Sequence, residues 1–527
     1  MNLPQEFAFA GGTIIDGTGR KGFAGDVVVT DGRIRLASPG GTKGLTSFDV
    51  TGLAISPGFI DTHSHADIAN LLGDDKVHEA RIVQGVTTEV VGNCGLSPFP
   101  VPLLSNDMAR QFMSIVFGPD AVTYPDLDAF ATDVERAGLP SNIAPLVGHG
   151  TLRATAMGYE NRAASASELD SMCVALARAM EAGAFGLSTG LCYTPATYAP
   201  SEEIEALAAI VAEANGIYST HIRNETSLTA QSLTEAIAVA RVTGVDLHIS
   251  HLKVAGPNQW HTSSQILSHL DVARESGVRV TADVYPYTAA STALHSLLPP
   301  WTAEGGIEVL TANLNDREWR DRVDYDLRNG VPGWQNLGSA AGWNNVSIAT
   351  SELRPEWEGC SIAALAENRD RPVDTVARVL LANSSKVVVV IEAMDPDDMV
   401  AFLSWPHSMV GSDGIPLPGK PHPRLTGTFP RVLGRHADDL GSIEMAVHRM
   451  TGASASRFSI PQRGTVTDGS VADLVVFDPQ GVRDRGTYSD PWIPPEGIAH
   501  VLVGGTAAVW DATVVDTAAG SVLRPGR

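Results

Sequence analysis

The chain is predicted to fold as an α/β protein, a (β/α)8 TIM barrel carrying a small β-sandwich domain built from both chain ends. Three observations predict it. From about residue 58 to 455, short apolar strands alternate with amphipathic helical stretches. Metal-ligand-type side chains recur where those strands end. The two termini share a different texture, short β-rich runs broken by Asp-Gly and Gly-Gly turns.

The strands read in order as the run ending at His63, VTTEVV before Asn93-Cys94, NIAPLV before Gly148-His149 and AFGLS before Thr189. IYST before His221, DLHIS before His251, VTADV before Tyr285 and MVG before Asp413 complete the set of eight. The first run is taken as one strand from Leu53 through Ile60, whose alternation sends His63 and His65 to the same side. Between strands, Ser165 with Glu168 reads as a capping box, and Ser201 as the cap of a helix with Ile204, Leu207, Ile210 and Val211 on one face. Residues 1–57 and 456–527 are expected to pair as the small β-domain around a barrel of 58–455. A Trp-, Pro- and Gly-rich stretch at about 296–352, after strand seven, is too long for a barrel loop and reads as a lid or insertion.

Composition narrows the function classes. A formal net charge of −23 without Lys/Arg runs argues against nucleic acid or anionic membranes as partners. No apolar stretch approaches the roughly 20 residues a membrane helix needs, and the N-terminus lacks the pattern of a leader, so a cytoplasmic location is expected. Four widely spaced cysteines (Cys94, Cys173, Cys192, Cys360) suit neither a disulfide framework nor a structural zinc knuckle.

At the strand ends, Cys94, His221 and His251 supply three ligands for Zn²⁺ with a fourth position left for water. His63 and His65 either hold a second ion with Cys94 as the bridge or orient substrate around a single zinc. Asp413, in Gly-Ser-Asp-Gly, suits a general base. His149, in LVGHGTLR, is a further ligand, a substrate donor or a structural residue. Lys253, two residues after His251, is placed to meet an anionic group, and Tyr193, Tyr285, Tyr287 and Ser291 offer hydroxyls to the same group. His248, His261, His269, His436 and His448 are read as structural. The residues alone imply metal-dependent hydrolysis of a carbon–nitrogen bond.

The motifs PGFIDTHSHAD, VGNCGLSPFP, THIRNE, ISHLK, ADVYPY, GSDG with HPRLTGTFPRVLG, and RGTVTDGSVADLVVFDP resemble the amidohydrolase superfamily, and Asn-Cys-Gly after strand two resembles its D-aminoacylase branch. The resemblance implies a tight zinc site at Cys94, His221 and His251, a weaker one at His63 and His65, and Asp413 as base. It also implies Lys253, Tyr285 and Ser291 as the grip on a substrate α-carboxylate, with Tyr193 in the same pocket. The implied substrate is a small-molecule N-acyl-D-amino acid. Strand four reads GLSTG, without the metal-bridging lysine of many binuclear relatives, and Cys192 stands where that branch leads one to expect a more ordinary residue. The alternatives are a hydantoinase- or dihydroorotase-like cyclic-amide hydrolase, against which the missing lysine argues, and a non-catalytic binding protein, against which the full ligand set argues.

Overall fold

The computed structural model describes residues 3–102, 106–117, 121–367 and 369–526. All eight expected barrel strands are present and parallel to their neighbours: Phe59–Asp61, Val86–Val91, Asn142–Gly148, Gly186–Gly190, Ile217–His221, Asp246–Ile249, Val280–Val284 and Ser408–Val410. The sheet closes between its last and first strands, where the Thr62 amide and hydroxyl donate to the Val410 carbonyl at 3.4 and 3.0 Å and Ser64 bridges to Gly414. These strands are buried almost throughout, because helices cover one face and barrel-filling side chains the other.

The run read as one strand from Leu53 to Ile60 is two. Ala54–Pro57 pairs antiparallel with Leu474–Phe477 in the terminal sheet, and only Phe59–Asp61 enters the barrel. Gly58 divides them and a Cβ there would strike the Thr87 side chain at 2.0 Å, so the chain passes from sheet to barrel where only glycine fits.

Both chain ends build one continuous nine-stranded sheet. Its strand Leu474–Phe477 shows why every residue there is apolar. Leu474 and Val476 join the sheet's own core with Phe7, Phe9, Ile14 and Trp510, while Val475 and Phe477 face the barrel core. Neither terminal segment covers both faces of that strand alone, so the two ends depend on each other and on the barrel.

Among the helices, Ser165 and Glu168 form the expected capping box on Ala166–Glu181. Ser201 does not cap. Its helix, Ser201–Glu213, starts after Pro200, and the Ser201 hydroxyl donates to Glu235 at 3.1 Å.

The insertion expected over about 296–352 occupies a longer stretch, 289–392. Ala289–Ala293, Val388–Glu392 and Val346–Thr350 form a three-stranded antiparallel sheet in that spatial order. A separate core of Leu294, Leu310, Val323, Ile348, Val389 and Ile391 holds it together. The run from 372 to 392, helix then apolar strand, has the texture of another βα unit. Its strand nevertheless joins the antiparallel sheet, a choice that local pattern does not reveal. Among the described residues no helix is long and apolar enough to cross a membrane.

Candidate metal centre and active site

The site lies at the C-terminal mouth of the barrel, where strand ends hand over to loops. Cys94, His251 and Asp413 each adopt positive φ, 54°, 36° and 50°. Non-glycine residues rarely occupy this region, and holding three of them there is strain of the kind that concentrates at functional sites. Cys94 sits in a tight turn between Gly92 and Gly95, which also have positive φ, and a Cβ on Gly92 would meet the Leu146 carbonyl oxygen at 2.2 Å.

The buried Cys94 thiol is the hub. Its Sγ lies 3.3 Å from His63 Nε2, 3.6 Å from His221 Nδ1 and 3.5 Å from His251 Nε2. Each imidazole has its other nitrogen engaged: His63 Nδ1 by Asp283 at 3.4 Å, His221 Nε2 by Cys192 at 3.0 Å, and His251 Nδ1 by Glu225 at 3.0 Å. Acidic or thiol partners behind a histidine fix its ring and direct the opposite nitrogen to a metal. Asp413 completes the group, 3.2 Å from His65 Nε2 and 3.5 Å from His63 Nε2. Among the described residues, donor atoms of His63, Cys94, His251 and Asp413 all fall within 4.8 Å of one another, as do those of His221, Glu225 and His251. Thiolate, imidazole and carboxylate gathered this tightly form a donor set suited to zinc.

Electrostatics favours the ionised cluster. Burial pushes the Cys94 thiol up, but the His63 charge and hydrogen bonds from His221 and His251 outweigh it and hold the thiol well below its usual range. Burial likewise opposes ionisation of Asp413, and Arg424, His251 and His63 reverse that, so the carboxyl stays well below its ordinary value. Glu225 is held low against burial by Lys253, His221 and His251. For His65, burial is outweighed by Asp413 and Cys94, and the ring rises to about 9.

A cleft opens onto this cluster and is lined by His65, Cys94, His221, His251, Lys253 and Asp413 among others. Tyr193 and Ser291 also line it. The Tyr193 hydroxyl meets Thr292 Oγ1 at 3.1 Å, and its ring stands edge-on to His221. Two expected residues lie elsewhere. His149 is buried behind the barrel mouth, its Nε2 2.7 Å from Glu203, and does not line the cleft. Tyr285 lines an adjoining cavity, with its ring under Lys253 and Arg424 and its hydroxyl 4.0 Å from Met394 Sδ, so it presents its face to two cations and not its hydroxyl to the cleft. Tyr287 is turned the same way, its hydroxyl donating to the Pro423 carbonyl.

Three contributors escaped the sequence reading, and a fourth, Cys192, was singled out there without a role. Glu225 bonds Lys253 Nζ at 2.6 Å and follows His221 by four residues in HIRNE. Asp283, within ADVYPY, joins His63 to His248, whose Nε2 is 2.9 Å away, so His248 supports the site from behind. Arg424, in HPRL, is fully buried and pairs with Asp413 at 2.9 Å. Cys192 touches His221. Each is polar in an otherwise ordinary stretch, and the available signal was its place beside a ligand motif.

A parallel barrel with a thiolate, imidazoles and a carboxylate converging at its mouth defines the class of metal-dependent hydrolases. Residues 47–509 match the model of the Amidohydrolase family, and the chain belongs to that family. It is similar to the D-aminoacylase of Alcaligenes xylosoxydans xylosoxydans, 35% identical over 96% of this chain and 95% of that protein. The N-acyl-D-glutamate deacylase of the same organism is 34% identical over 96% of this chain and 94% of its own length. A crystal structure of N-acyl-D-glutamate deacylase from Bordetella bronchiseptica, complexed with zinc and a phosphonate mimic of the tetrahedral intermediate, superposes with a TM-score of 0.83. It is 34% identical and covers 98% of this chain and 99% of that one.

Proposed function

We propose that this protein is a zinc-dependent amidohydrolase that cleaves the amide bond of N-acyl-D-amino acids, releasing a carboxylate and a free D-amino acid. The observation that carries the reading is the Cys94 thiol ringed by imidazole nitrogens whose far sides are already tethered. Cys94, His221 and His251 would hold the tight zinc, with His63 and His65 at a weaker second site. When bound, zinc supplies a Lewis acid that polarises the amide carbonyl and makes water easier to deprotonate.

The chain's own groups do the rest. Asp413, held ionised by Arg424, accepts the proton of the attacking water as its oxygen bonds to the carbonyl carbon. The carbon–nitrogen bond then breaks and Asp413 returns the proton to the departing amine. Lys253 and Ser291, both on the cleft wall, orient the substrate through its α-carboxylate, with Tyr193 beside them and the Tyr285 ring supporting Lys253 from behind. Ordering the substrate this way converts binding energy into alignment of the scissile bond.

The same reading places a small-molecule enzyme in the cytoplasm, without nucleic-acid or membrane partners. Four unpaired cysteines and the strong negative charge support it. The test is Cys94→Ala. Zinc content and hydrolysis of N-acetyl-D-leucine should fall together while the circular dichroism spectrum is kept. Full zinc occupancy in the variant, or equal turnover of N-acetyl-L-leucine by the wild type, would overturn the assignment.

A further inference from the structure

We infer that this enzyme selects N-acyl-D-amino acids whose side chain and acyl group are both uncharged and discriminates against D-glutamate and D-aspartate derivatives, because among the described residues the cleft lining beyond the metal-type ligands is apolar or neutral and its one cation, Lys253, already faces a carboxylate of the protein. The inference rests on the amide-hydrolase reading and names the substrate class within it.

The apolar part of the lining is built from Leu96, Phe112, Leu297, Leu337 and Ile415, all buried. Ala290 and Ala293 fill the spaces between. The neutral polar groups of the lining include a chain of hydroxyls, Tyr193 Oη to Thr292 Oγ1 at 3.1 Å, Thr292 to Ser296 Oγ at 3.2 Å and Ser296 to the Ala293 carbonyl at 2.7 Å, together with the Ser291 hydroxyl and Gln335, whose Oε1 accepts from the Glu225 amide at 2.6 Å. They suit a neutral group and supply no charge.

Two cations approach the site, and each faces a carboxylate of the protein. Lys253 Nζ lies 2.6 Å from Glu225 and Arg424 lies 2.9 Å from Asp413. The two protein acids offset their charge, and the Arg424 Nε and Nη1 donors, buried without a partner among the described residues, are assigned with Lys253 to the one α-carboxylate every substrate carries. His295 borders the neighbouring cavity and adds nothing, since burial pulls its ring down to about 4 and leaves it neutral at pH 7. A second carboxylate on the substrate would therefore leave water for an apolar wall without a counter-ion, which costs far more than burying its neutral isostere. Overall similarity does not decide the matter, because a D-aminoacylase and an N-acyl-D-glutamate deacylase are almost equally identical to this chain.

The experiment compares kcat/KM of the zinc-loaded enzyme for N-acetyl-D-glutamine and N-acetyl-D-glutamate, which match in size and differ in charge, with N-acetyl-D-leucine alongside. Leucine should lead, and glutamate should fall about 100-fold or more below glutamine. Glutamate turned over as well as glutamine, or better, would overturn this inference and leave the amide-hydrolase reading standing. Turnover of none of the three would overturn both.

Discussion

The Cys192 thiol lies 3.0 Å from Nε2 of His221, on the far side of the ring whose Nδ1 faces Cys94 at 3.6 Å. Two cysteines thus flank one imidazole, one towards the cluster and one behind it. Cys192→Ala removes the partner that sets the ring's orientation, so zinc affinity should drop about 10- to 100-fold, the usual consequence of losing such a support. Cys192→Ser keeps a polar contact and should recover part of the loss. Chelator competition reads the affinity, and an unchanged value in the alanine variant would make Cys192 a packing residue.

Asp413→Asn retains size but cannot take a proton. Zinc should stay bound while kcat falls by about 10² to 10⁴, the normal contribution of a positioned acid–base group. Because Arg424 is fully buried and loses its charged partner, the variant should also unfold at lower denaturant concentration. Loss of zinc would identify Asp413 mainly as a ligand, and near wild-type turnover would mean another residue is the base.

Lys253→Met should raise KM for N-acyl-D-amino acids and erase the preference over the corresponding α-carboxamides. The substitution also strands the buried Glu225, so a stability loss of about 3 kcal/mol or more is expected from the single variant. The double variant Lys253→Met/Glu225→Gln should restore stability and leave KM high. An intact preference for the free carboxylate in either variant would rule out the grip.

His295 is buried and its Nδ1 has no hydrogen-bond partner among the described residues. Burial lowers its pKa to about 4, whereas in an unfolded chain it titrates near 6.5. Between those values the unfolded state binds more protons, so stability is full above pH 6.5 and declines as pH falls towards 4. At pH 5 the loss amounts to about 2 kcal/mol. Urea midpoints of zinc-free wild type and His295→Leu at pH 7 and pH 5 check it: the variant should lose less stability on acidification, and identical shifts would disprove the assignment.

The eight barrel strands were legible in the sequence because each is a short apolar run of the right length bounded by turn residues, and burial on both faces demands that composition. The metal-type residues His63, His65, Cys94, His221, His251 and Asp413 were legible for a related reason, since the barrel puts its chemistry where strands end and the chain order of ligands follows the order of strands. What only the tertiary structure decided is what stands behind and opposite them. Glu225, Asp283 and Cys192 act on ligands from other strands across the barrel mouth, and Arg424 folds back from the helix after strand eight onto Asp413, contacts set by closure of the sheet and by no local period. The same holds for Tyr285, turned away by the packing around Lys253 and Arg424, and for the insertion, whose last strand resembles a barrel strand and pairs antiparallel because its partners are Ala289–Ala293 and Val346–Thr350. Periodicity reports which face of an element is buried. Which element buries it is a property of the whole chain.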